Sequence, residues 1–285
     1  MLSFNPFINQ NQSIVKEIKC ILKKSIWLLA VVSAMFFAGC QDEDDQQNNN
    51  NNDSTTDYPA TADVIHNAVT DIDGNTYDAV RIGDQIWMAS NLRTTREPNG
   101  EEIPENDNDW EPCRFFPNND PSNVPTYGYL YNWYAVMHDE SASNTNPSGV
   151  QGICPNGWHV PSDAEWIQLT SFVGSQSEYC CDGTSSNIAK SLAATTGWLE
   201  SPYLSCSICF NLSSNNATGF SAVGAGWDGG FGFNAITGLW SSTPYSLEDN
   251  TSSIYIRKLD GLESFVTRTT SFGRTDGWSV RCLKD

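Results

Sequence analysis

Residues 154–166 read CPNGWHVPSDAEW, and this stretch contains the clearest local folding signal in the chain. Ser162 is followed three residues later by Glu165, the spacing of a capping box, in which each side chain binds a backbone amide at the start of a helix. Apolar side chains then recur on one helical face: Trp166, Leu169 and Phe172 or Val173. The pattern predicts a helix that begins after Ser162 and ends at Gly174.

Short apolar alternations divided by glycine lie on both sides of this helix. Upstream, Ala68–Ile72 and Thr76–Ile82 flank Asp73-Gly74, a strong hairpin signal because both turn residues tolerate a left-handed backbone. Gln85–Met88 continues this meander. The carboxylates of the DIDGN turn also suggest a calcium loop, but the EF-hand spacing and its last glutamate are missing, so a turn is favoured.

The remaining patterns predict a second main helix and a second group of strands. Tyr129–Met137 predicts a strand that leads into a short helix, and Asn187–Thr195 predicts the second main helix. Strand patterns follow at Phe220–Ala225, Phe231–Phe233, Ile236–Trp240, Ser253–Leu259, Ser264–Thr269 and Trp278–Leu283. Two main helices between two groups of short strands predict an α+β domain with antiparallel sheets.

Composition restricts the classes of function. The 285 residues include 34 acidic and 15 basic side chains, for a net charge of −19. A chain this acidic repels phosphate backbones, so nucleic-acid binding is not expected. Hydrophobic residues make up 39% of the chain, with 13 Phe, 10 Tyr and 10 Trp, which is enough for a packed core.

The N-terminal segment has the layout of an export signal. Four lysines and one glutamate precede an apolar run from Ile26 to Phe37, which Ala38, Gly39 and Cys40 follow. The run is too short to span a bilayer, and small residues mark a cleavage point. The stretch Phe37-Ala38-Gly39-Cys40 resembles the bacterial lipoprotein signal, in which the cysteine takes a diacylglycerol and becomes the mature N-terminus. An ordinary signal peptide cut near Ala38, or an uncleaved anchor, is the alternative.

This interpretation divides the chain into three parts. Residues 1–39 are a lipoprotein signal peptide, residues 40–65 a disordered acidic and Asn-rich tether, and residues 66–285 the folded domain. The acidic cluster directly after Cys40 resembles the surface-export signal of Bacteroidota lipoproteins, although a plain solvated spacer explains it equally well. We therefore expect a protein bound to the outer membrane through its lipid, on the cell surface or on the periplasmic face.

Six blocks follow one another in the folded part: DIDGNTYDAVRIGDQIWMASNL, YGYLYNWYAV, CPNGWHVPSDAEW, GFSAVGAGW, LWSST and GWSVRCLKD. In this order they resemble the Fibrobacter succinogenes major paralogous domain family. The resemblance implies a C-type-lectin-like fold, which is also the fold of formylglycine-generating enzymes; HVPSDAEW is similar to their RLPTEAEW segment and GWSVRC to their closing GFRC strand. Members of the family are commonly surface lipoproteins whose biochemical role is mostly unassigned.

The chain departs from both functional groups that share this fold. Formylglycine-generating enzymes bind copper through paired cysteines near the end of the domain, where this chain has only Cys282. Lectins that bind sugar through calcium use a proline-containing carboxamide motif and a Trp-Asn-Asp segment, whereas this chain has Trp227-Asp228-Gly229. Neither a metal nor a cofactor is therefore expected, and fold alone transfers no function.

The cysteines of an exported protein most often form disulfides. In the lectin-like fold that the resemblance implies, the segment before the first helix and the final strand lie close together, which pairs Cys154 with Cys282. Four further cysteines are expected to cross-link with one another, in either of two connectivities: Cys180, Cys181, Cys206 and Cys209. A four-thiolate zinc site is the alternative for these four. Cys113 is left over, as a thiol or as the partner of another group.

The best ligand-binding candidates lie in the stretch GWDGGFGFN. Trp227, Asp228 and Asn234 occur there among Phe231, Phe233 and four glycines, a mixture of flat rings and polar tips that suits sugar or peptide surfaces. The alternative is that these residues are structural, and we favour a core position for Trp240. His159 is expected to make a structural hydrogen bond, and no catalytic residue is identified.

We therefore expect a lipid-anchored, surface-exposed lipoprotein that acts as a non-catalytic binding or adhesion module for a glycan or a protein. An enzyme or modifying factor of the formylglycine-generating type is one alternative, and a structural subunit of a surface appendage is another.

Overall fold

The first sheet begins with the hairpin that Asp73-Gly74 predicts. In the computed structural model, which describes residues 62–105, 110–246 and 253–285, β1 (Asp63–Thr70) pairs antiparallel with β2 (Thr76–Ile82). Asp71 holds the turn, since its Oδ1 accepts from the amides of Asp73 and Asn75 and its Oδ2 accepts from the Tyr77 hydroxyl. The Asp71 carboxylate, which a calcium loop would offer to the ion, is thus hydrogen-bonded to donors within the protein. Residues 63–65 of the predicted tether belong to β1, whereas Cys40 and the rest of the predicted signal and tether before residue 62 lie outside the described residues.

The closing strand completes this sheet from the far end of the chain. The strand order is β1-β2-β3-β10-β6, where β3 is Gln85–Met88, β6 is Trp158–His159 and β10 is Leu283–Lys284. Leu283 lies opposite both Trp87 and His159, in antiparallel pairs. The segment that enters the main helix is therefore joined directly to the C-terminal strand.

Two smaller sheets form the rest of the β structure. β4 (Arg114–Phe115) pairs antiparallel with β5 (Leu130–Tyr131), and a three-stranded antiparallel sheet has the order β7-β8-β9. The bounds of its strands are Ile236–Pro244, Ile254–Asp260 and Thr267–Thr270. Mixed helices and antiparallel sheets make the domain α+β, as the sequence predicts.

The longest helix among the described residues is the one that the capping box predicts. The helices are α1 (Val124–Tyr127), α2 (Trp133–Met137), α3 (Asp163–Ser175) and α4 (Ala189–Leu192). Ser162 accepts from the Glu165 amide, and the Glu165 carboxylate accepts from the Ser162 amide at 2.8 Å. α4 is shorter than the predicted Asn187–Thr195, because Ala193 is extended and bridges to Ala222 instead.

Two predicted strands are wrong, and a third, Trp278–Leu283, is a strand only at Leu283, with isolated bridges at Trp278 and Ser279. Phe220–Ala225 and Phe231–Phe233 form loops with isolated bridges only, and glycines in this region lie very close to other backbone. A Cβ at Gly224 would lie 2.9 Å from the Asn234 carbonyl carbon, and one at Gly226 would lie 2.5 Å from the Phe231 oxygen. Glycine is the residue that permits such close approaches.

Buried charges connect the helix start to the third sheet. Asp163 accepts from Arg257 at 2.7 Å and from Arg268 at 2.9 Å, and both the Asp163 and Arg257 side chains are buried. Burial alone would raise the pKa of Asp163, but the hydrogen bonds from Arg268 and Arg257 outweigh it and lower that pKa. The aspartate of the HVPSDAEW segment is therefore a structural anchor.

The core follows the blocks that carry the family resemblance. Trp87, Trp166 and Phe220 pack together, with the ring centroids of the two tryptophans 4.5 Å apart. Trp240 is buried, as expected, and donates to the Tyr131 carbonyl at 2.7 Å. Every helix in the described part of the chain is too short or too polar to span a bilayer.

One of the expected disulfide groups is only partly formed. Cys154 and Cys282 are bonded, the pair that the resemblance implies, and Cys181 is bonded to Cys206. The prediction that Cys180 and Cys209 are also in disulfides is wrong, since both are thiols. The two thiols lie against different parts of the chain. The Cys180 sulfur is 3.2 Å from the Gln176 carbonyl oxygen at the end of α3, whereas the Cys209 sulfur packs against Gly261.

Candidate functional site

The candidate site is a row of three aromatic rings that ends in solvent. The ring centroids of Trp278 and Trp227 lie 5.6 Å apart, and Phe231 stacks on Trp227 at 5.5 Å with 19° between the ring planes. Trp278 is buried and Trp227 half-buried, whereas Phe231 is 61% exposed. Phe231 is thus an exposed ring that the core supports through Trp227, and we name these three residues the aromatic row.

Glycines shape the turn that carries this exposed ring. The Trp227 amide donates to the Phe231 carbonyl at 3.0 Å, which closes a tight loop around the short helical turn Asp228–Gly230. Gly229 and Gly230 have φ values of 76° and 80°, in the left-handed region that favours glycine. A Cβ at Gly229 would lie 3.1 Å from the Phe231 ring, so the ring lies directly over bare backbone.

Two asparagines from a distant loop lie beside the same turn. A Cβ at Gly230 would be 3.2 Å from Asn118 Oδ1 and 3.4 Å from Asn119 Nδ2, so both amides are held against this backbone. Asn118 and Asn119 are exposed and have left-handed φ values of 56° and 55°. Asn123 stabilises their loop, because its Nδ2 donates to the Pro117 carbonyl at 3.0 Å. The site therefore combines an exposed ring with amide donors and acceptors.

The three residues predicted to bind a ligand lie around this turn in different environments. Trp227 stands inside the aromatic row, and Asp228 Oδ1 accepts from the Gly277 amide at 2.8 Å. Asn234 Oδ1 accepts from the Tyr127 hydroxyl at 2.5 Å. These hydrogen bonds give Asp228 and Asn234 a structural part in placing the loop. Direct ligand contact by the three residues stays a prediction.

Phe231, Asn118 and Asn119 are the exposed groups that sequence reasoning did not single out as the site. Phe231 was visible only as one aromatic among several, and the pairing with the Asn118–Asn119 loop depends on tertiary contact. The one local signal is the run PNND, where asparagines after a proline favour left-handed turns.

His159 is buried and makes structural hydrogen bonds, as the sequence suggests. Its Nδ1 lies 2.7 Å from Asp285 Oδ1 and its Nε2 lies 2.9 Å from Glu165 Oε1. Burial acts to lower the pKa of His159, but the hydrogen bonds and charges of Glu165 and Asp285 outweigh it and raise that pKa. Because Glu165 also closes the capping box of α3, this histidine connects the helix start to the C-terminal strand.

A second buried carboxyl lies in the loop between β3 and β4. Both Glu97 side-chain oxygens are buried and lack a hydrogen-bond partner, although His138 Nδ1 lies 3.5 Å from Oε2. Burial, followed by the charges of Glu101 and Asp139, raises the pKa of Glu97 to about 8. This group is therefore neutral over much of the physiological pH range.

The four-thiolate zinc alternative does not fit the structure, because Cys181 and Cys206 are bonded to each other. In residues 62–105, 110–246 and 253–285, His, Cys, Asp and Glu side chains form no group of three that would hold a metal ion.

Comparison with known proteins gives one match. A family model described as the Fibrobacter succinogenes major domain matches residues 80–284, which includes the aromatic row and both disulfides. No curated protein and no solved structure gives a significant match.

Proposed function

The chain belongs to the Fibrobacter succinogenes major domain family, and from its structure we propose that it is a lipid-anchored, surface-exposed, non-catalytic module that binds a glycan through the aromatic row. The observation that carries this proposal is the exposed Phe231 ring, stacked on Trp227 and flanked by the amides of Asn118 and Asn119.

The chemistry of the site favours a sugar. A pyranose presents one apolar face to an aromatic ring and a rim of hydroxyls to hydrogen-bonding groups, which is the combination that Phe231 and the two asparagine amides offer. Carboxylates lie near the turn: Asp228 binds the Gly277 amide, and Asp276 accepts from the amides of Phe272 and Gly273. Their negative charge disfavours uronic or sialic acids, so the expected ligand is a neutral glycan.

A non-catalytic role is supported by the cysteine chemistry of the closing segment. A redox enzyme of the formylglycine-generating type needs two reactive cysteines there, whereas Cys282 is buried and bonded to Cys154. We also propose the C-type-lectin-like fold for the domain. Its support is the closing strand β10, which lies between β3 and β6 and is joined by that disulfide to the segment before α3.

Anchoring is proposed from the sequence alone. The basic flank, the apolar run and Ala38-Gly39-Cys40 support lipidation at Cys40, and the acidic residues that follow support export to the cell surface. Cys40→Ala should abolish lipid attachment and release the protein from the membrane fraction. If this variant stays membrane-bound and is processed like the parent, the anchoring proposal is wrong.

A glycan array with the purified full-length chain tests the binding function. Phe231→Ala should weaken binding of a neutral glycan about tenfold or more, because the variant removes the exposed ring that a sugar face would cover. Tyr245→Ala is the matched control, since Tyr245 is 64% exposed and also packs on a second ring, that of Tyr255 at 5.8 Å. Failure to bind any neutral glycan, or equal losses in the two variants, would refute the glycan proposal.

A further inference from the structure

Four exposed apolar side chains lie on neighbouring turns at the end of the β8–β9 hairpin. We name Leu199, Tyr203, Leu204 and Leu262 the leucine–tyrosine patch, and each of them is more than half exposed. Single exposed apolar residues are ordinary, but several carried on adjacent backbone suggest a surface that another molecule covers.

Backbone hydrogen bonds hold these turns side by side. The Ser201 amide donates to the Cys209 carbonyl at 2.8 Å, and the Cys209 amide donates to the Gly261 carbonyl at 2.9 Å. The Ile208 amide donates to the Glu263 carbonyl, which connects the same two segments once more. The patch is thus built from two loops that are far apart in sequence and hydrogen-bonded to each other.

A disulfide and a buried lysine also hold the loop that carries Tyr203 and Leu204. Cys206 is bonded to Cys181, and the buried Lys190 Nζ donates to the Ser207 carbonyl at 3.2 Å and to Asn215 Oδ1 at 2.7 Å. A loop held by a disulfide and a buried lysine loses little conformational entropy when it binds a partner. The exposed side chains are therefore displayed on a rigid support.

Leu204 stands out within the patch because of its backbone. Its φ is 63°, in the left-handed region, where a bulky side chain other than that of glycine is unusual and costs free energy. The Ser207 amide donates to the Leu204 carbonyl at 2.8 Å and maintains the conformation. Strain of this kind is concentrated at functional sites, and here its result is a leucine that is 63% exposed.

Acidic side chains predominate around the patch. The segments 199–209 and 260–265 contain Glu200, Asp260 and Glu263 and no lysine or arginine. The nearby Lys258 pairs with Asp260 at 3.4 Å, and Lys190 is buried beneath the loop. A second copy of this chain would bring like charges together, whereas a basic surface would be attracted.

We propose that the leucine–tyrosine patch is a docking surface for another protein, whose contact face has an apolar centre bordered by lysine or arginine. Aliphatic and tyrosine side chains supply the buried centre of the interface, and the carboxylates of Glu200 and Glu263 select the partner by charge. This surface is separate from the aromatic row, so the chain would hold a protein partner and a glycan through different residues.

Site-specific photocrosslinking in the full-length chain tests the proposal. A photoreactive p-benzoylphenylalanine in place of Tyr203 should cross-link a partner in intact producing cells, and the same replacement of Tyr245, another tyrosine that is more than half exposed, should not. Mass spectrometry of the adduct should identify a peptide with apolar side chains and at least two lysines or arginines. Adduct formation in isolated membranes should decrease several-fold as the salt concentration rises.

Leu204→Gly separates binding from folding. Glycine accepts the left-handed backbone, so this variant should unfold at the same urea concentration as the parent or a higher one, yet reduce the adduct formed at position 203 about fivefold or more. Glu200→Gln combined with Glu263→Gln should reduce the adduct and its dependence on salt. No adduct, an adduct with a lipid or a second copy of the chain, an acidic partner peptide, or full cross-linking in Leu204→Gly would each overturn the proposal.

Discussion

Removing the disulfide between Cys154 and Cys282 should cost more stability than removing the one between Cys181 and Cys206. The two bonds span sequence separations of 128 and 25 residues. In the chain-entropy description, a cross-link stabilises the fold by restricting the unfolded chain, and the effect grows with loop length. The relation gives about 4.9 kcal/mol for the longer loop and about 3.5 kcal/mol for the shorter one at 25 °C.

The expected differences are large enough to measure in the paired alanine variants. At about 2–4 °C per kcal/mol for a domain of this size, Tm should fall by about 10–20 °C without the first bond and about 7–14 °C without the second. Urea unfolding followed by tryptophan fluorescence and far-UV circular dichroism gives the free energies, provided that both probes show one coincident transition.

A control is needed because Cys154 and Cys282 are buried and their truncation also leaves a small cavity. Cys209 is also buried and in no disulfide, so Cys209→Ala estimates the cost of losing a buried sulfur without any change in chain entropy. If the Cys154 and Cys282 pair, corrected in this way, costs less than the Cys181 and Cys206 pair, the chain-entropy reasoning is wrong for this fold.

Three further predictions concern buried charges. Because the pKa of Glu97 is raised to about 8 in the folded state, its protonated form stabilises the fold fully below about pH 4.5, and this contribution disappears as the pH rises through about 8. Glu97→Gln should therefore flatten the decrease in urea midpoint between pH 5 and 8, and Glu101→Gln, which removes one of the charges that raise this pKa, should flatten it to a smaller extent. The raised pKa of His159 makes stability depend on pH in the same direction: its contribution is complete below about pH 6.5 and is lost as the pH rises through its folded-state pKa. Chemical-shift titration of the His159 ring should show that elevated pKa. A pKa below that of a free histidine would contradict the pairing with Glu165 and Asp285. Lys190→Met should lower the free energy of unfolding by about 2–4 kcal/mol, because it leaves buried carbonyls unpaired. The control Lys258→Met should lower it by less than about 1 kcal/mol. Equal losses in urea unfolding would show that Lys190 does not organise the loop.

Features that depend on neighbouring residues in the chain were predictable. Ser162 and Glu165 are three positions apart, so the geometry of one helical turn brings them together whatever the rest of the domain does. The Asp73-Gly74 hairpin and the short helix after Leu130–Tyr131 depend on similarly local preferences. The Cys154–Cys282 bond was predicted from the family resemblance, because composition and spacing alone do not fix this pairing.

Features that depend on packing between distant segments were not predictable. The helix predicted over Asn187–Thr195 is short because Ala193 finds a backbone partner in Ala222, and the thiol of Cys209 is directed toward Gly261 rather than toward another cysteine. Tertiary hydrogen bonds and packing exceed helix propensity in such cases, since propensities amount to only a few tenths of a kcal/mol per residue.

The sequence by itself determined the family, the α+β class, the main helix and its cap, and the acidic character of the chain. Only the tertiary structure decided which groups meet at the surface: Phe231 lies over Trp227 beside Asn118, and the loop that carries Leu204 is hydrogen-bonded to the loop that carries Leu262. The physical reason is that a capping box or a tight turn is closed by residues a few positions apart. A binding surface is assembled by loops whose approach depends on the packing of the whole core.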